Sequence, residues 1–214
     1  MTDFSLPPSL TLIVGMTGSG KTTFVNTYLL NEPAAACRFI FDDWNRMWPR
    51  LKLQPCYTAE ALERSLATRW NVFQPLRLFG GDTQAAFRWW CRWVFHCASR
   101  GPGKKLVIVP ELWRHCTGDS IPAEFAALVQ AGRELNVELV LDTQRPEAIN
   151  PGIIGQATEL VCFRLMSAEA LRAVEKLWRD SGITATRDQI VGLPLGSFVA
   201  WNRLSGGTLT GRVF

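Results

Sequence analysis

The sequence predicts an α/β fold in which a mainly parallel central sheet carries helices on its faces and ends in a β-hairpin. Three observations predict it. Short β-branched apolar runs alternate with stretches of helical apolar spacing, the pattern of strands joined by right-handed crossovers. A glycine-rich loop joins the first such run to the first helical stretch. Towards the other end, 196–202 and 208–213 flank Ser205-Gly206-Gly207, a hairpin signature.

In order, Leu10 to Val14 is the first expected strand and Thr22 to Leu30 the first helix, with apolar spacing at Phe24, Val25, Tyr28 and Leu29. Cys37 to Phe41 is a second strand, ending at Asp42 and Asp43. A helix is expected from a Thr58 N-cap to Trp70, then a short strand over Leu76 to Phe79 closed by Gly80-Gly81. Asp82 or Thr83 to Ser99 spaces aromatics and arginines as a long helix. Lys105 to Val109 is a strand, Ile121 to Leu135 a helix with Pro122 in its first turn, and Val137 to Gln144 a strand. Leu160 to Arg164 and Ser167 to Asp180 add a further strand and helix.

The 214 residues are 47% apolar, enough for the core of one domain, and no linker, repeat or low-complexity segment interrupts them. No apolar run reaches the ~18 residues of a membrane span, and the first residues lack a basic secretory n-region, so the chain is expected not to be secreted. Six cysteines without a C-x-x-C pair suit small buried hydrophobes. Net charge is only +4, yet Arg77 to Lys105 holds six cations against Asp82 alone. Such a local excess suits a polyanion or a solvated face.

Residues 15–22 read Gly-Met-Thr-Gly-Ser-Gly-Lys-Thr, a complete G-x-x-x-x-G-K-[ST] loop between a strand and a helix. That placement turns backbone N–H groups and the positive helix end toward a phosphate chain. The expected nucleotide contacts are Gly15, Thr17, Gly18, Ser19, Gly20, Lys21, Thr22 and Thr23. Lys21 would reach the β- and γ-phosphates, and the Thr22 hydroxyl would ligate Mg²⁺. Hydrolysis also needs a group that positions water. Glu111, at the tip of an apolar strand, is that candidate, although Pro110 stands where an acidic strand usually ends Asp-Glu. Asp142 could supply the missing charge near the metal; Asp42 and Asp43 are the other candidates. Gln144 could contact the γ-phosphate or the lytic water.

The segment Gly132-Arg133-Glu134-Leu135-Asn136 with Asp142-Thr143-Gln144-Arg145-Pro146, then Ile149 to Thr158, resembles the FtsK/HerA superfamily of ring-forming motor ATPases. The form of the phosphate loop and Leu193-Pro194-Leu195-Gly196 before the hairpin are similar too. The resemblance runs from residue 10 to the end, except for 45–104. It implies a three-layer, RecA/ASCE-like P-loop NTPase fold, a single ATPase domain over 1–214, ATP hydrolysis with Mg²⁺, and a hexameric ring. It also implies an arginine finger acting in trans, at Arg133 or alternatively Arg145.

A chain with only the motor core looks most like the small genome-packaging ATPases of tailless, internal-membrane double-stranded DNA viruses. That likeness implies translocation of double-stranded DNA through backbone contacts, docking on a capsid vertex or membrane protein, and a place in the host cytoplasm or virion. Arg92, Arg100, Lys104 and Lys105 are the expected DNA contacts, although tryptophans at helical spacing equally suit a core or a subunit interface. A filamentous-phage-type extrusion ATPase and a nucleotide switch with impaired hydrolysis are the alternatives.

Overall fold

The computed structural model describes residues 9–31, 36–43, 51–118, 120–180 and 187–214. Its strands are β1 (Leu10–Val14), β2 (Cys37–Phe41), β3 (Trp70–Phe73), β4 (Lys105–Val109), β5 (Val137–Thr143), β6 (Glu159–Phe163), β7 (Ser197–Asn202) and β8 (Thr208–Arg212). They form one eight-stranded sheet in the order β3-β2-β4-β5-β1-β6-β7-β8. β2 runs parallel to β3 and β4, and β1 parallel to β6; β7 pairs antiparallel with β6 and β8. The helices are α1 (Lys21–Asn31), α2 (Ala59–Ser65), α3 (Thr83–Arg100), α4 (Ala123–Ala131), α5 (Pro151–Gln156), α6 (Ala168–Asp180) and α7 (Arg187–Gly192). The residues fall into two compact units interleaved along the chain: 26–110 with 121–140, and 10–25 with 111–120 and 141–214.

In the first unit the strands are apolar because both faces are covered. Phe39, Ile40, Phe41, Val72, Phe73 and Leu106 to Val109 are all essentially without exposure. Asp82 caps α3 by accepting from Ala85 N at 2.9 Å. The helix buries Ala86, Phe87, Trp90, Cys91, Val94 and Ala98, a stripe of helical period. Phe41 meets Phe87 and Trp90 at ring separations of 5.2 and 5.3 Å. Phe87 and Trp90 are therefore core, worth ~1.5–3 kcal/mol for each ring fully buried, whereas Trp89, Trp93 and Phe95 are half-buried.

Three local expectations are corrected here. The helix expected through Trp70 ends at Ser65 and passes through a 3₁₀ turn to Arg69, whose left-handed backbone (φ 61°) stops it. Trp70–Phe73 is then a strand. Leu76 to Phe79 is no strand but a turn, with Leu78 and Phe79 N–H both donating to Pro75 O. α4 ends at Ala131 rather than Leu135, because Gly132 O turns to accept from Val137 N at 2.7 Å.

In the second unit β1 is buried at all five positions. Phe24 of α1 lies edge-on to Phe163 of β6 and Phe198 of β7, at 6.0 and 5.1 Å. α6 buries Ala170, Leu171, Val174 and Trp178 along one stripe. The expected hairpin is β7–β8. The methionine-led start of the chain lies outside the described residues. Among the described residues, no helix is long and apolar enough to cross a membrane.

Candidate active site

The phosphate loop leaves β1 and enters α1. Gly15 N donates to Thr143 O at 3.3 Å and Met16 N to Arg164 O at 2.9 Å, so the loop hangs from the ends of β5 and β6. Gly18 and Gly20 have φ of 75° and 118°, values a side chain would strain. At Gly20 a Cβ would also press on Phe163, Val213 and Gly196 at 3.0–3.3 Å. Lys21, 7% exposed, donates from Nζ to Gly15 O at 2.7 Å and Met16 O at 3.2 Å. Thr17 is exposed, whereas Thr22 and Thr23 are half-buried at the start of α1.

Glu111 follows β4 in a left-handed conformation, φ 50° and ψ 49°. For a residue with a Cβ this costs ~1–2 kcal/mol, which its surroundings must offset. Asp142 does so in part, its Oδ1 accepting from Glu111 N at 3.1 Å. The Glu111 carboxylate is 5% exposed as a residue and receives three donors. Gln144 Nε2 donates to Oε1 at 2.7 Å; Trp113 Nε1 and Gln144 N donate to Oε2 at 3.0 and 3.4 Å. On its other side Gln144 Oε1 accepts from the Thr17 hydroxyl. One amide thus links the phosphate loop to the glutamate.

Trp113 is a residue that the sequence did not single out. It stands in the 3₁₀ turn just past Glu111, and its ring carries the Arg145 guanidinium at 5.0 Å. Arg145 is otherwise exposed, with Glu147 at 3.4 Å. The only signal in the sequence is a tryptophan two residues after the acid.

The remaining expected residues lie in the first unit. Arg133 is exposed just past α4. Arg100 ends α3 and is exposed. Arg92 is paired at 3.3 Å with Glu124 of α4, as is Arg88, and a backbone hydrogen bond first, then the two guanidinium groups, hold the Glu124 carboxyl below its usual range. Lys104 meets Glu138 at 2.7 Å, the same carboxylate that Tyr28 donates to. Lys105 opens β4 from the interior, donating to Leu135 O at 3.1 Å, and burial lowers its pKa. The basic run is thus largely answered by carboxylates or turned inward, with Arg100 its open end.

For a metal, the residues fit in one way. Among the described residues no three His, Cys, Asp or Glu side chains gather as a ligand set. The Thr22 hydroxyl at the head of α1 suits Mg²⁺, which keeps most of its waters and leans on substrate phosphates. Ser19 Oγ adds a buried hydroxyl with no hydrogen-bond partner among the described residues, on the loop that would hold those phosphates.

No family model matches the chain. Protein P9 of Pseudoalteromonas phage PM2 is 29% identical over 211 residues, spanning 97% of this chain and 90% of P9. The genome packaging NTPase B204 of Sulfolobus turreted icosahedral virus 2, in complex with ATP-gammaS, has a TM-score of 0.74 at 18% identity, covering 95% of this chain and 97% of B204. The chain has the P-loop NTPase fold. VirB4 of Thermoanaerobacter pseudethanolicus shares it, with a TM-score of 0.66, 11% identity and coverage of 95% and 89%.

Proposed function

We propose that this chain is an ATPase that works as a ring and drives double-stranded DNA into a viral capsid. The observation that carries the catalytic part is the link Thr17–Gln144–Glu111 between phosphate loop and carboxylate. The loop amides and the N-terminus of α1 take the phosphates, and Lys21 exchanges two carbonyls for phosphate oxygens. Thr22 and the phosphates would hold Mg²⁺, which would supply charge neutralisation there, and Asp142, which accepts from Glu111 N, would add negative charge beside the glutamate. Glu111 orients the attacking water, and Gln144 reports the state of the γ-phosphate to the glutamate it touches. Arg133, or Arg145 from its perch on Trp113, supplies the cation from a neighbouring protomer.

The packaging part is supported by the sequence resemblance and by the likeness to B204, a genome packaging NTPase. DNA would be gripped through its phosphates, chiefly by Arg100, since Lys105 is turned inward and Arg92 and Lys104 already face carboxylates. A capsid vertex or membrane protein would seat the ring, in the host cytoplasm or the virion. Turnover measured with and without double-stranded DNA, alongside the mass in solution, tests this. Stimulation by DNA in a multimer is expected; turnover indifferent to DNA removes the packaging role. A second reading, a nucleotide switch, is favoured by Pro110 and by the three donors already on Glu111. It requires ATP binding without turnover.

A further inference from the structure

The second unit carries an aromatic surface beside the phosphate loop. Gly196 N donates to Ser19 O at 3.0 Å, which ties the turn before β7 to the loop itself. Val213 N in turn donates to Gly196 O at 2.9 Å, bringing the segment after β8 alongside. The Phe214 ring then lies over Gly196 so closely that a Cβ there would meet ring carbons at 2.9–3.1 Å. Gly196 has φ 81°, so glycine is required twice over, by conformation and by the ring. Val213 reaches the loop as well, 3.0 Å from where a Gly20 Cβ would stand. Despite these ties, 59% of Phe214 is exposed, and neighbouring Leu195 is 48% exposed.

We propose that Phe214 is the stacking platform for the nucleobase of the bound nucleotide, with Leu195 widening the apolar floor. This rests on the triphosphate lying in the 15–22 loop. A nucleotide is charged at one end and flat and apolar-faced at the other. Once the phosphates occupy the loop amides, the base needs a surface one ribose away. The structure offers a ring beside the loop, packed on Gly196, which is hydrogen-bonded to Ser19, and left open to solvent. A π-face accepts any base, so the platform gives affinity with little choice among purines and pyrimidines. Base selection would have to come from polar groups elsewhere.

The test compares ATP with inorganic tripolyphosphate, which has the phosphates and no base. Dissociation constants are measured for the full chain, Phe214→Ala and Phe214→Tyr. Expected is roughly a tenfold weakening for ATP in the alanine variant, recovered by tyrosine, with tripolyphosphate unchanged. Equal weakening of both ligands would mean that Phe214 only braces the loop, and would overturn the proposal. Unchanged ATP affinity would overturn it too, and with a lowered solution mass would assign the ring to a subunit contact instead. A wild-type chain that binds neither ligand refutes the loop assignment itself, a result distinct from any of these.

Discussion

Trp113→Phe removes one N–H and keeps a flat ring. In the structure that N–H reaches Glu111 Oε2 at 3.0 Å, while the ring face carries Arg145 at 5.0 Å. A hydrogen bond to a charged group contributes ~1.5–3 kcal/mol. Glu111 keeps two other donors, Gln144 Nε2 at 2.7 Å and Gln144 N at 3.4 Å, so the lower figure applies. About 1.5 kcal/mol, at about 1.4 kcal/mol per decade, is roughly a tenfold fall in kcat. Phenylalanine retains most of the support for Arg145, so the loss belongs to the glutamate. Because the Trp113 N–H acts on Glu111, KM and the affinity for a non-hydrolysable ATP analogue should hold. Steady-state turnover and analogue binding separate the two. An unchanged kcat, or a raised KM at constant kcat, would refute the idea that the indole orients Glu111.

Glu111→Gln should bind ATP and cleave it at least about a hundredfold more slowly, as loss of a water-orienting group does, read in single-turnover assays. Arg133→Ala should spare binding and lower turnover, and mixing it with Lys21→Ala protomers should restore some activity if the arginine acts in trans. Gly211→Ala would set a Cβ 2.4 Å from Phe198 Cζ, in the ring cluster with Phe24 and Phe163. It should cost ~1–3 kcal/mol in urea unfolding, and an unshifted midpoint would show the hairpin packs more loosely than described. Burial pushes the Cys97 thiol up to about 11 and Cys116 up to about 12. At pH 8 both should therefore be almost wholly protonated and alkylate far more slowly in the native chain than in urea, as mass spectrometry would register.

Much of the fold was legible because strands covered on both faces must be continuous apolar runs. β1, β4 and β6 largely read that way, and β2 and β5 do so around Arg38 and Glu138. β3 did not, since Asn71 sits in its middle, where its amide satisfies Arg38 O at 3.0 Å and Cys37 Sγ at 3.3 Å. Those partners lie more than thirty residues earlier, beyond any local pattern. Leu76-Arg77-Leu78-Phe79 misled for the opposite reason: it has strand composition, yet Leu76 and Leu78 are 41% and 43% exposed on a turn. At the site, the loop, Glu111 and Gln144 stood out by motif and by position at strand ends. Trp113 could not, because its part depends on a 3₁₀ turn folding it back onto the preceding acid. Nor could the neutralisation of Arg92 and Lys104, whose partners come from a different helix and strand.

The pairing of β1 with β6 has a consequence for synthesis. Leu10 N waits for Thr158 Oγ1, 148 residues further along. At ~5–20 residues per second, the ribosome needs roughly 7–30 s to deliver that neighbour. Throughout that interval Leu-Thr-Leu-Ile-Val is a nascent strand with at least one edge open, the kind of segment that sticks to other chains. Slower translation between residues 15 and 158 should therefore lower soluble yield, and holdase chaperones that shield the emerging N-terminal stretch should raise it.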